Sequence, residues 1–180
     1  MRKDYTEKLI KKYQSSTNFL KLFNPDVQEL IIANENRAYV GSAPSLTVVK
    51  LGFGKNIIET WLMAQIENLN NFCGVKEKAN ALQMLELSKL VIASCGYLKV
   101  TELMLFFTKF KMGEYGKFYG VIDPIVITSA LNEFLEERLT VLRKIRFDNE
   151  KIKKELEQAE YDKISLTREE YEDLKWLFNM

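Results

Sequence analysis

Three of the chain's eight glycines, Gly113, Gly116 and Gly120, fall within eight residues in the stretch KFKMGEYGKFYGVIDP, residues 109–124. Between and beside them stand Tyr115, Phe118 and Tyr119, with Lys109, Lys111 and Lys117. Aromatic faces stack on nucleic-acid bases and lysines meet the phosphates between them, so the combination has the chemistry of a single-strand binder. Glycine, with no Cβ, lets a ligand approach the backbone closely. The same residue types also build a self-contained turn, in which Gly113 stops a helix, Gly116 and Gly120 take positive φ, and the rings cover the edge of a core. Both uses stay open at the level of residue types, and Lys111, Tyr115, Lys117, Phe118 and Tyr119 are the candidate ligand contacts.

Other chemistries are excluded more firmly. The glycine spacing does not match the GxxxxGK[ST] phosphate cradle, and neither does LGFGKN at 51–56, which reads as a turn between helices. The chain has no histidine and two cysteines, so triads that relay a proton through imidazole and zinc sites of three or four His/Cys ligands are both out of reach. Glu169, Glu170, Glu172 and Asp173 are close in sequence, yet adjacent helical positions point their carboxylates apart and the helix dipole accounts for acids in a first turn. No catalytic residue, cofactor or metal is expected. Cys73 and Cys95 stand alone in apolar surroundings and are expected to be reduced core thiols.

A second candidate surface is the N-terminus, where residues 1–22 hold six basic and two acidic side chains. Lys8 and Lys12 are four apart with Lys11 beside them, forming a basic ridge that suits phosphate or simple solvation. Globally there is no such field, since 26 basic and 25 acidic residues leave a net charge of +1. No run approaches the ~20 apolar residues of a membrane span, and the charged N-terminal segment has no signal-peptide core, so no membrane partner and a cytoplasmic location are expected.

The elements that must position these residues are helices throughout. Residues 4–22 predict one amphipathic helix, and Asn24-Pro25 caps and opens another. NRAYVGSAPS at 36–45 reads as a loop, and LTVVKL is too short to assign. Residues 56–73 and 76–95 carry helical stripes ended by Gly74 and Gly96, with Trp61 as a core anchor. TELMLFFTKF is apolar on nearly every side, which predicts the buried central helix with Thr101 as its cap. Asp123-Pro124 opens a pattern reaching about residue 160, in which Leu135, Leu139, Leu142, Ile145, Asn149, Ile152, Leu156 and Ala159 recur at spacings of three and four, a coiled-coil-like seam. FDNE at 147–150 is the expected break, because Asp148 or Asn149 could cap a new helix. TREE at 167–170 has the capping-box form ahead of a short helix faced by Tyr171, Leu174 and Phe178. The expected class is all-α: a helical globular domain over 1–147 and a helical extension over 148–180, with Leu142, Ile145, Ile152 and Leu156 as an interaction seam.

Residues 87–138, through GYLKVTELMLFF, FKMGEYGKFYG, the following DP and LNEFLEER, resemble an uncharacterised family of small helical proteins from phages and mobile elements of Bacteroides-type bacteria. PSLTVVKLGFGKNIIETWLMAQIENLNNF upstream adds a weaker likeness, and YLKVTELMLFF is also similar to helical segments of phage helicase-loader and helicase-inhibitor proteins. With the glycine-aromatic-lysine loop and the basic first helix, the likeness to helicase loaders leads to the expectation of a non-enzymatic phage or mobile-element accessory protein of DNA replication that binds a replicative helicase or single-stranded DNA. The alternative expectation is a structural or regulatory protein that self-associates, or docks on a partner, through its long C-terminal helix and has no nucleic-acid role.

Overall fold

The computed structural model describes residues 2–74, 78–116 and 124–178, and among them there is no β-strand. The all-α expectation holds. Contacts divide the chain into two compact units, Met1–Glu136 and Glu137–Met180. No helix among the described residues is long and apolar enough to cross a membrane.

In the first unit, the helix expected over residues 4–22 is two, α1 (Arg2–Tyr13) and α2 (Ser16–Leu22). Gln14 takes a left-handed φ of 66°, and Ser15 Oγ accepts the Asn18 amide at 3.1 Å, which starts a new helix in a new direction. Apolar spacing alone hides this break because Tyr13 and Phe19, on either side of it, meet edge-on with centroids 5.7 Å apart. Asn24 caps as expected, its Oδ1 accepting the Asp26 amide at 2.7 Å, and Pro25 begins a 3-10 turn that runs into α3 (Gln28–Ile32). The loop expected over 36–45 is shorter, since α4 (Glu35–Val40) forms with Asn34 as its cap and buries Ala38 and Tyr39. Ser45 caps α5 (Leu46–Gly52), and Gly54, at φ 103°, turns the chain into α6 (Lys55–Phe72).

Asn80 and Gln83 cap α7 (Ala81–Ser94) reciprocally, so it begins five residues after the expected start at 76. Next comes α8 (Val100–Lys111), the expected central helix, with Leu103 through Phe107 all buried. Its cap is not Thr101. The Lys99 amide is satisfied by Glu102 Oε2 at 2.7 Å, while Thr101 Oγ1 donates to the Ala38 carbonyl at 2.8 Å. Lys99 Nζ donates to the Tyr39 and Gly41 carbonyls, so both side chains serve the otherwise unpaired end of α4. The chain at 96–98 serves α5 likewise, the Gly96 and Leu98 carbonyls accepting the Thr47 and Leu46 amides. A Cβ on Gly96 would lie 2.5 Å from Thr47 Oγ1, which explains glycine at this close approach. α8 packs on α3, α4 and α6, while α6 also meets α5 and α7.

The last two helices are α9 (Pro124–Ile164) and α10 (Arg168–Phe178). The expected Asp123 cap lies outside the described residues. α9 buries Ile127, Ala130, Leu131 and Phe134 in the first unit, and Phe134 meets Phe106 at 5.7 Å and stacks on Tyr39 at 6.3 Å. The break expected at 147–150 is absent: α9 is continuous for 41 residues, about 60 Å at 1.5 Å per residue. An N-cap must leave helical φ/ψ, and here the ladder simply continues through Asp148 and Asn149, both exposed, toward the ion pairs Lys151–Glu155 and Lys153–Glu157.

Candidate functional site

The glycine-aromatic loop divides between described and undescribed residues. Lys117, Phe118, Tyr119 and Gly120 lie outside the described residues. Gly113 and Gly116 do take positive φ, 80° and 99°, as the turn reading requires. Tyr115 is half-buried, its ring 5.7 Å from Phe106 and 6.5 Å from Phe110, so it continues the aromatic cluster of α8. Lys109 is almost fully buried and paired with Glu35 at 3.2 Å and with Glu114 at 3.4 Å.

Lys111 is also committed inward. Its Nζ donates to Gln28 Oε1 at 2.7 Å and to Asn68 Oδ1, and lies 5.5 Å from the centroid of the Phe72 ring. Partial burial pushes its pKa below the usual lysine value, while nearby Cys73 and Asp26 work to restore it. Cys73 is pushed up by burial and drawn back by Lys111. Cys95 is a buried free thiol as expected, but Cys73 is half-buried at the end of α6 rather than in the core. The cluster extends deeper: Gln28 Nε2 donates to Gln65 Oε1 at 2.5 Å, and Gln65 Nε2 and Trp61 Nε1 both donate to the Phe23 carbonyl, at 3.0 and 2.7 Å. Four elements of the first unit are thereby tied through one chain of polar groups. Sequence reading missed Gln28 and Gln65, although two glutamines on otherwise apolar helix faces were a visible signal.

Of the basic ridge on α1, Lys8 is exposed and paired with Asp4 at 3.1 Å, and Lys11 is exposed. Lys12 instead donates to the carbonyl and hydroxyl of Ser42 and lies over the Tyr13 ring. Only part of the ridge faces solvent unengaged. Among the described residues no group of three or more His, Cys, Asp or Glu side chains gathers where it could hold a metal ion.

The C-terminal unit presents the opposite situation. Ile152 is 53% exposed and Leu156 63%, with Leu142 and Ile145 half-buried. Phe147, Tyr161, Ile164 and Leu166 are exposed as well. Each of those on α9 is flanked in sequence by at least one charged residue, while Leu166 follows the end of the helix. An open groove on α9 is bounded by Leu142, Ile145, Arg146 and Asn149, with Glu150 and Lys153 at its end.

Thr167 caps α10 as its sequence predicts: Glu170 Oε2 accepts from the Thr167 amide at 2.8 Å and from its hydroxyl at 2.9 Å, and the Glu170 amide donates to Thr167 Oγ1 at 3.2 Å. These donors hold the Glu170 carboxyl below the usual glutamate range. A carboxylate with a depressed folded-state pKa supports the helix at neutral pH and ceases to do so as pH falls through that lowered value. Thr167→Ala is therefore expected to raise the Glu170 titration midpoint and to speed amide exchange in the first turn of α10, both readable by NMR. An unchanged midpoint would show that the hydroxyl contributes nothing to the cap. Tyr171 is exposed and Leu174 half-buried, and the Phe178 side chain lies outside the described ones.

Residues 78–179, more than half of the chain, match the family of unknown function DUF6633. The chain belongs to that family. No curated protein and no solved structure matches it. The DUF6633 match contains α7 to α10, and with them both the central apolar helix and the exposed seam of α9. It begins after α6, so the Gln28–Gln65 part of the buried polar chain lies outside the DUF6633 region.

Proposed function

We propose that the protein is a non-enzymatic interaction protein whose working surface is the C-terminal unit, and that it acts by docking on protein through apolar side chains of α9. The observation that carries this reading is the series of large apolar side chains on one face of the charged helix α9, with Ile152 and Leu156 more than half exposed and Leu142 and Ile145 half-buried. Single exposed apolar residues are ordinary on a protein surface, but a sustained series on one charged helix marks an interaction site. A replicative helicase, suggested by the likeness of YLKVTELMLFF to segments of helicase-loader proteins, is a partner of the right kind, a protein able to cover such a surface. Single-stranded DNA draws less support, because Lys111 and Tyr115 are held within the first unit and Lys12 is bonded to Ser42.

Photo-crosslinking in the cells that make the protein tests this reading. A photoreactive residue placed at Ile152 or at Leu156 is expected to capture a protein, whether another chain or a second copy, while the same residue at exposed Lys11 captures none. Absence of any protein adduct from both positions on α9 would sink the reading.

A further inference from the structure

From the register of α9 we infer that its seam is covered by a second copy of the same chain, as a parallel, in-register, two-stranded coiled coil; this rests on the docking reading and names its occupant. Writing the helix in heptads places Leu142, Asn149 and Leu156 at a, and Ile145, Ile152 and Ala159 at d. In such coiled coils a knob from one helix enters a hole made by four residues of the other. The groove on α9 has the four walls such a hole needs: the a, d, e and next a residues Leu142, Ile145, Arg146 and Asn149. In a parallel pair the knob that enters it is Ile145 of the second copy.

Two features select this arrangement over an antiparallel one. Leucine at a with isoleucine at d by itself favours more than two strands, and Asn149, a polar residue at a, is what restricts this seam to two. Parallel and in register, the two Asn149 amides face each other and each can donate and accept, whereas the antiparallel seam that keeps every apolar layer sets Asn149 against Ile152. Flanking charge points the same way. Position g of one helix meets the next e of the other in a parallel pair, which sets Asp148 against Lys153 on both sides of the seam. The antiparallel seam sets Asp148 against Glu155 and Arg146 against Lys153, like charges in each case. The parallel arrangement has one opposed pair, Glu155 against Glu160. Its cost is moderated by the Lys151–Glu155 pair within each helix, just as the Lys153–Glu157 pair leaves the Lys153 ammonium exposed and able to turn to Asp148.

Sedimentation equilibrium of the full chain over a wide concentration range tests the inference. The expected result is a reversible species of twice the 21.0 kDa mass of one chain. Ile152→Glu should weaken association by about a hundredfold or more, since each copy would bury an ionised carboxylate. Circular dichroism of that variant at low concentration should match the parent chain, because Ile152 is solvent-facing in the single chain. Phe147→Ala, on the opposite face at f, should leave association unchanged. Asp148→Lys should weaken it by about tenfold and Glu160→Lys should tighten it. Asn149→Leu should tighten it too, but with species beyond the dimer, since the polar a residue that restricts the oligomer is gone.

A monomer at every concentration, or a dimer indifferent to Ile152→Glu, overturns the inference. So does strengthening by Asp148→Lys, the antiparallel result, or weakening by Glu160→Lys, which the parallel pairing of Glu155 with position 160 does not allow. A monomeric chain that still crosslinks to a different protein through α9 would leave the docking reading standing and remove only the second copy.

Discussion

Replacing Phe106 with alanine is expected to destabilise the first unit by about 3–5 kcal/mol, the range for truncating a buried aromatic ring. Phe106 is 1% exposed and lies at the centre of the aromatic cluster, 5.1 Å from Phe107, 5.9 Å from Phe110 and 5.7 Å from both Tyr115 and Phe134. Those neighbours come from α8, the chain after it and α9, so collapse around the cavity would need all three to shift together. Urea denaturation followed by fluorescence measures the loss. Tyr115→Ala, at the rim of the same cluster, is expected to cost about 1–2 kcal/mol from lost ring contact and partial burial. A Tyr115 variant with unchanged stability would instead free that ring for ligand and return the loop to the single-strand reading.

Gln65→Leu is the second large effect, expected to cost about 2–3 kcal/mol, because Gln28 Nε2 loses its acceptor in a buried site where water does not replace it. The Phe23 carbonyl suffers less, since Trp61 Nε1 still donates to it. Changing Gln28 to leucine as well should recover part of the loss, because removing both partners leaves no orphaned donor between them. The recovery should stay incomplete, as Gln28 Oε1 also accepts from Lys111. A double-mutant cycle read by urea denaturation isolates the coupling between the two glutamines. Coupling near zero would mean that the pair is not a structural tie.

Much of this architecture follows from local rules. Trp61, the stops at Gly74 and Gly113, the Asn24-Pro25 entry and the Thr167–Glu170 box are where the residue types place them, since caps and left-handed turns depend on a few neighbours. The central position of α8 also follows, because a helix apolar on every side has nowhere else to be. Failures occurred where a distant partner decides. Thr101 is a good cap by type, yet its hydroxyl is drawn to Ala38 sixty-three residues away, and Glu102 satisfies the helix start one turn earlier. Residues 36–40 read as loop because the helix they belong to is short, and it persists since Lys99 and Thr101 complete its carbonyls.

The candidate sites divide on the same line. Lys111, Tyr115 and Lys12 look like ligand groups in one dimension, where an ammonium or a ring shows its type but not its partner. Folding gives each an internal partner: Gln28 and Asn68, Phe106, and Ser42. The seam of α9 is the reverse case. Its three-four spacing and its Asn149 were plain in the chain itself, because helical periodicity is a local property. Whether those residues were spent inside the fold was a tertiary question, and the exposure of Ile152 and Leu156 in an uninterrupted helix answers it. Helix type, caps and the seam's register were thus settled by neighbours along the chain. Which polar and aromatic side chains remain available for binding was settled only by contacts between residues far apart in sequence, which burial and hydrogen bonding bring together.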